Sequence, residues 1–354
     1  MAQVECVYSG ICHLGEGPVW NVQRKKLYWT DIYNRRIWEY DPAGGTSRIF
    51  REVGLQVGGF AFTPRGGVVL CSDKGVYLLD VADAENAASP AGDNMSGRDA
   101  TTTDNTAAGR DLFAGDNVSA GRDATTADNA SAGRDLPAGK GEGKRKLKLL
   151  FDFPFAENEM FNDITVDPMG RIFAGTITRP EMTGGTLYRL EKGKKPVTVL
   201  KDLHCSNGMT FSLDEKYFYH TDSSFQTIKR YEYDSVTGDI GNPTVFFKGE
   251  PEMGSPDGMT MDSEGCIWSA FWGDSRIRRL DPDGRIIDEV EVPAKQPSSV
   301  MFGGTGLKEL YITTACEGAD DLVSGCSNGG VFLGGPVYRC IPGVTGRPEW
   351  LADF

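Results

Sequence analysis

Six short blocks of this chain share one design. Each opens on a polar or small residue, continues through one or more further such residues, and then alternates as a strand. They begin at Glu16-Gly17-Pro18, Gly58-Gly59-Phe60, Asn162-Asp163-Ile164, Asn207-Gly208-Met209, Asp257-Gly258-Met259 and Ser298-Ser299-Val300. Five of the six leading residues are polar: two carboxylates, two amides and a serine. Two unpaired carboxylates buried together lose hydration and repel each other, and a cation is the usual relief. Carboxylate and amide oxygens are hard ligands suited to Ca²⁺, Mg²⁺ or Mn²⁺, and carboxylates also admit Zn²⁺. The competing reading is that these residues cap strands and make turns, because Asn-Gly and Asp-Gly favour turns on their own.

The blocks gain meaning from the elements around them. Most lead into a second strand, as in Leu27-Tyr28-Trp29-Thr30, Tyr217-Phe218-Tyr219-His220 and Ile267-Trp268-Ser269-Ala270, and a third follows, as in Arg276-Ile277-Arg278-Arg279-Leu280. Repeats at roughly 40 to 50 residues, made of short alternating strands and Asp-Pro or Asp-Gly turns, predict an all-β fold, a six-bladed β-propeller. A β-sandwich would not explain six copies of one unit. The first strand of each propeller blade lines a central channel, so the leading residues of different blades meet near the axis. The predicted architecture is therefore a propeller with a central metal-binding channel.

Length and composition set the limits. The 354 residues, 39% of them hydrophobic, suffice for one large core, and residues 1–354 are expected to form a single domain. A stretch at 84–147 breaks the spacing. It carries a tandem duplication, Gly92-Asp93-Asn94 through Leu112 echoed by Gly115-Asp116-Asn117 through Leu136, with few large apolar residues. Such a composition predicts a low-complexity, disordered loop inserted within the propeller. The net charge of −13, with only the short basic run Lys144-Arg145-Lys146-Leu147-Lys148, argues against nucleic acid as a partner. No apolar run approaches a membrane span and no leader pattern is visible, so a soluble, cytoplasmic protein with no membrane partner is expected. The eight cysteines form no CxxC pair and the three histidines no HExxH pair, which speaks against thiolate or histidine-rich zinc sites and for buried free thiols.

Several blocks also resemble a known family. Gly15-Glu16-Gly17-Pro18-Val19-Trp20, Phe161-Asn162-Asp163, Ser206-Asn207-Gly208-Met209, Ser255-Pro256-Asp257-Gly258-Met259 and Pro297-Ser298-Ser299-Val300-Met301-Phe302-Gly303-Gly304 are similar to the signature blocks of the SMP-30/gluconolactonase/regucalcin family. The resemblance implies a six-bladed propeller, one divalent cation (Ca²⁺, Mg²⁺, Mn²⁺ or Zn²⁺) held by Glu16, Asn207 and Asp257, and a small sugar lactone as substrate partner. Asn162 is implied at the metal or the substrate. Where many family members carry a sugar-binding arginine, this chain has Met160, which leaves the sugar specificity open. Arg179 and Glu181, in a segment corresponding to a substrate-facing loop, are candidates for the polar contacts.

The expected reaction is lactone hydrolysis, with the carbonyl polarised by the cation and Asp257 as general base for the attacking water. Asp222 is a candidate supporting acceptor or a turn residue, and Trp272 a candidate pocket wall. Two other readings keep the same centre: a phosphoesterase or organophosphatase, and a non-catalytic calcium-binding regulatory propeller. The sequence does not indicate an oligomeric state.

Overall fold

The computed structural model describes residues 3–81, 147–316 and 334–354. The described residues all belong to one compact unit. The predicted loop at 84–147 lies outside them except for its last residue, and there the expectation is corrected: Leu147 opens a strand, Leu147–Phe151.

Among the described residues the strands form six four-stranded antiparallel sheets. Blades are numbered by their innermost strands: Gly15–Asn21, Val57–Phe62, Glu159–Val166, Ser206–Phe211, Ser255–Met261 and Gln296–Gly303. Each of the first five blades runs outward in chain order. The sixth is completed on its outer edge by Glu5–Tyr8, which pairs with Val337–Cys340 and closes the ring. In blade 2, Leu79 pairs directly with Leu147, so the residues between them leave and re-enter at one hairpin end. No helix among the described residues is long and apolar enough to cross a membrane. The described cysteines are all free, Cys6 exposed and Cys12, Cys71, Cys205, Cys266, Cys316 and Cys340 buried.

The core is divided among the blade boundaries. Tyr28, Ile37 and Phe50 of blade 1 pack with Val57, Phe60 and Leu70 of blade 2, and five comparable apolar clusters join the other neighbouring pairs around the ring. Both faces of each small sheet are thus dry, and the alternating pattern of the strands becomes stacking between blades. A further cluster sits apart from these six. It gathers Met160 and Ile177 of blade 3, Ala315 of blade 6, and Leu14, Ile32 and Cys205 from segments flanking strands, all at the end of the channel where the innermost strands begin.

The opposite end is crossed by the segment 345–354. Its backbone bonds to blade 5 through Ser263 N–H to Thr345 O, to blade 6 through Gly346 N–H to Leu307 O, to blade 2 through Ala352 N–H to Phe62 O, and to blade 3 through Asp353 N–H to Gly170 O. Arg347 also donates to Thr210 of blade 4 at 3.3 Å.

The glycines that follow the leading residues do not make turns. Asn207-Gly208 and Asp257-Gly258 lie inside the innermost strands of their blades, at bulges where the pairing register shifts. A Cβ on Gly208 would lie 2.2 Å from the Asp257 carbonyl oxygen, so the absence of a side chain is what lets blades 4 and 5 approach. Gly208→Ala is expected to cost about 1–3 kcal/mol of stability or more, since the obstacle is backbone rather than a flexible side chain. Urea unfolding of the variant checks this, and an unchanged midpoint would show that blades 4 and 5 have room to separate.

Candidate metal and active site

The bulges explain how the leading residues reach the axis. Each interrupts the ladder near the start of an innermost strand, in blade 1 between Glu16 and Val19, in blade 4 between Asn207 and Met209, and in blade 5 between Pro256 and Met259. A bulge turns the side chain beside it away from the ordinary alternation. Glu16, Asn207 and Asp257 are all buried there, at 9%, 5% and 4% exposure, although among the described residues no cationic side chain is bonded to them.

Their hydrogen bonding is incomplete in a directional way. Asn207 donates its Nδ2 to Ser223 Oγ at 3.2 Å, and Ser223 Oγ in turn donates to the Pro256 carbonyl at 2.7 Å. Because the serine proton is committed to a carbonyl, its oxygen is an acceptor, which fixes the amide orientation and leaves Asn207 Oδ1 buried without a partner. Asp257 Oδ1 is likewise buried and unpartnered. Among the described residues Glu16 accepts only the N–H of Gly17, at 3.2 Å, and Gly17 holds a φ of +51° that favours glycine.

The electrostatics agree with this geometry. Burial first, then the charges of Asp257 and Asp163, push the Glu16 carboxyl well above its usual range, opposed by the Gly17 N–H and the Arg179 guanidinium. Burial first, then Asp163, push Asp257 up as well, opposed by the Gly258 N–H, Arg179 and the Asn207 amide. Two carboxyls raised by desolvation and by neighbouring acids, beside two orphaned acceptor oxygens, are groups whose negative charge is not balanced by direct contact with a cation. The donor set of two carboxylates and an amide oxygen therefore fits a hard divalent cation. No group of three or more His, Cys, Asp or Glu side chains gathers among the described residues, so the fit depends on the Asn207 amide as the third donor.

The remaining leading residues separate from these three. Asn162 is buried and donates its amide to the Ser206 carbonyl at 3.0 Å, next to Asn207. Ser298 is fully satisfied, donating to the Gly15 carbonyl at 2.5 Å and sharing a hydrogen bond with Thr313 at 2.9 Å. Gly58 has no room for a side chain, since a Cβ would stand 2.1 Å from the Phe161 carbonyl oxygen.

Around the centre, the loop candidates part company. Arg179 reaches Tyr33 Oη at 2.8 Å, and its charge acts on both Glu16 and Asp257. Glu181 is exposed in the turn beyond Pro180, so the structure brings Arg179 to the site and leaves Glu181 at the surface. Met160 is buried in the apolar cluster at this end of the channel, with Tyr33, Met182 and Trp272 packed against it. The wall beside the centre is accordingly apolar where an arginine would have offered donors.

Asp222 is not a turn maker. Its two oxygens accept the backbone N–H groups of His204 and Cys205, both at 3.1 Å, and hold the segment that leads into Asn207. His220 hydrogen-bonds Ser206 Oγ at 2.8 Å, and burial pushes it down to about 4, so it is neutral at ordinary pH.

One acidic residue escaped the sequence reasoning. Asp163 lies within the channel, and burial pushes its carboxyl up to about 7, with its neighbour's N–H opposing and Glu349 adding to the rise. The signal was in the second column of the six blocks, which reads Gly17, Gly59, Asp163, Gly208, Gly258 and Ser299. An aspartate in a column of four glycines and a serine stands out as the one charged side chain there.

Fold and centre together define a six-bladed propeller with a carboxylate and amide cluster on its axis. The SMP-30/Gluconolactonase/LRE-like region matches residues 14–316, and the chain belongs to that family. It is 30% identical over 342 residues to pentonolactonase XacC of Haloferax volcanii, covering 97% of this chain and 95% of that protein. It is 31% identical over 333 residues to 6-deoxy-6-sulfogluconolactonase of Pseudomonas putida, covering 91% and 92%. Among solved structures, a calcium-binding protein, regucalcin, from Agrobacterium tumefaciens superposes with a TM-score of 0.76 at 24% identity, covering 100% of this chain and 98% of that one, and this likeness speaks for the fold.

Proposed function

We propose that this protein hydrolyses a sugar lactone with the help of one divalent cation held by Glu16, Asn207 and Asp257. The observation that carries the reading is the pair of buried, unpartnered oxygens, Asn207 Oδ1 and Asp257 Oδ1, beside a Glu16 carboxyl bonded only to its neighbour's N–H. The lactone class rests on the relatives named pentonolactonase and 6-deoxy-6-sulfogluconolactonase.

A bound cation supplies charge compensation to the two carboxylates and polarises the lactone carbonyl. Asp257 takes a proton from the attacking water as its oxygen bonds to the carbonyl carbon. The ring C–O bond then breaks, and the same proton passes to the departing alkoxide, giving the open hydroxy acid. Asn162 and Arg179 orient the ring through its hydroxyls, with Tyr33 holding Arg179. Asp222 keeps the segment before Asn207 in place, so the amide oxygen stays aimed at the centre. The apolar wall around Met160 excludes water from one side of the ring and favours a lactone with few hydroxyls facing it.

The test is proton release from five- and six-membered aldonolactones by metal-stripped protein resupplied with Ca²⁺, Mg²⁺, Mn²⁺ or Zn²⁺. Turnover that appears only on cation addition is expected. Tight cation binding with no lactone opened would overturn the reading, and a panel of phosphoesters would then separate a phosphoesterase from a regulatory protein.

A further inference from the structure

A cavity of about 330 Å³ occupies the channel on the far side of the carboxylate centre. It begins at Met209 and Met259, two residues beyond Asn207 and Asp257, and ends on the crossing segment at Pro348 to Leu351. Its volume is that of a site for a small organic molecule rather than for one water. Four aromatic side chains wall it, Trp20, Phe60, Phe62 and Trp350.

Two carboxylates face into this apolar space, Asp163 from blade 3 and Glu349 from the crossing segment. Asp163 is bonded only to the N–H of Ile164, at 2.7 Å, and its half-buried surface looks onto the cavity. Glu349 has no hydrogen bond or ion pair among the described residues and raises Asp163 through space. Arg347 does not line the cavity: it is stacked over Trp350 at 3.8 Å, bonded to Thr210, and interacts with Glu349 only through space. Two acids in an aromatic cavity lined by no Lys or Arg repel anions and gain nothing from a neutral hydrocarbon. Asn21, Gln23, Thr63, Thr165 and Ser299 also line it, yet most of the lining is apolar, which suits a bare metal ion poorly. What suits both features is a positive charge on an apolar body, which ring faces and carboxylates attract together.

We infer that this cavity is a second binding site, separate from the lactone centre, for a small organic ammonium ion seated between Asp163 and Glu349 against the aromatic walls. The inference does not depend on the lactonase reading, because binding is measured without any lactone present.

The test uses the full chain, loaded with its divalent cation, and titrates benzylammonium by calorimetry, with benzyl alcohol and benzoate as neutral and anionic probes of like shape. Benzylammonium is expected to bind at least about tenfold more tightly than benzyl alcohol, with no measurable benzoate binding, since charge and ring are recognised together. Glu349→Gln is expected to weaken the ammonium about tenfold and leave lactone turnover unchanged, and Asp163→Asn to weaken it as well. No binding to the parent protein, equal binding of amine and alcohol, or binding undiminished in both variants would overturn the inference. Displacement of the amine by a lactone would also overturn it, by placing the amine in the lactone centre.

Discussion

Asp257→Ala will reduce cation-dependent lactone turnover by roughly a thousandfold or more. The loss combines two roles, since general-base assistance alone is worth about 10²- to 10⁴-fold and the same carboxylate holds the cation. Asp257→Asn keeps the shape and is expected to do nearly as much, because an amide cannot take the proton. Neither change should unfold the protein. The native carboxyl is buried, unpartnered at Oδ1 and raised by Asp163, so removing its charge relieves the cation-free state. The cation-free Asp257→Asn protein is therefore expected to melt higher than the cation-free parent, while losing the parent's gain on cation addition. Turnover and melting temperature measured on the same samples separate the roles. Substantial activity in Asp257→Ala with cation still bound would remove Asp257 from the mechanism.

The second large effect is on stability. Glu16, Asp257 and Asp163 all have carboxyls raised above their ordinary values, Asp163 to about 7. A raised carboxyl means that the folded chain holds protons more tightly than the unfolded one. Its contribution is fully present below the unfolded value and is lost as pH rises through the folded one. The cation-free protein should therefore become less stable between about pH 4 and about pH 8, with the Asp163 part of the loss starting near its unfolded value and complete once the pH passes its folded value of about 7. A divalent cation replaces the protons on Glu16 and Asp257, so its stabilisation should grow over the same interval. At a concentration a hundred times its dissociation constant it adds about 2.7 kcal/mol. Thermal melts at about pH 5 and about pH 8, with chelator or with Ca²⁺, read this directly. A cation effect equal at both pH values would mean that the buried carboxylates are not its ligands.

Much of the fold and some of the site could be read before any coordinates. The six blocks fall on the six innermost strands because a propeller repeats its inner strand more strictly than its outer ones, which face solvent. The resemblance picked Glu16, Asn207 and Asp257 from the leading column. What the column could not reveal is which members are already satisfied, and that depends on residues distant in sequence: Ser298 spends its hydroxyl on Gly15 of blade 1 and Thr313 of its own blade, while Asn207 is oriented by Ser223, itself committed to Pro256 of blade 5. The glycines looked like turn signals for a similar reason. Their purpose is close approach between blades, a contact between segments about 50 residues apart that no local propensity encodes. Asp222 was half legible, as a residue near the site but not as the clamp on His204 and Cys205. The segment 345–354 carries no repeat and no alternation, and its role comes wholly from the four blades it bonds by backbone and the channel end it crosses.

The last blade joins strands from opposite ends of the sequence. Glu5–Tyr8 supplies only three paired positions, partly exposed, with Arg339 bridging Glu5 at 2.7 Å and Glu309 at 2.8 Å. A ribosome delivers the first of those strands long before its partner, so in the meantime the other blades wait on an open arc with an unpaired edge. Contacts of such long sequence separation make folding slow, and exposed edges invite pairing with other chains. The latch is thus a matter of timing as much as of stability: until Val337–Cys340 emerges to meet Glu5–Tyr8, the nascent arc is most open to misassembly.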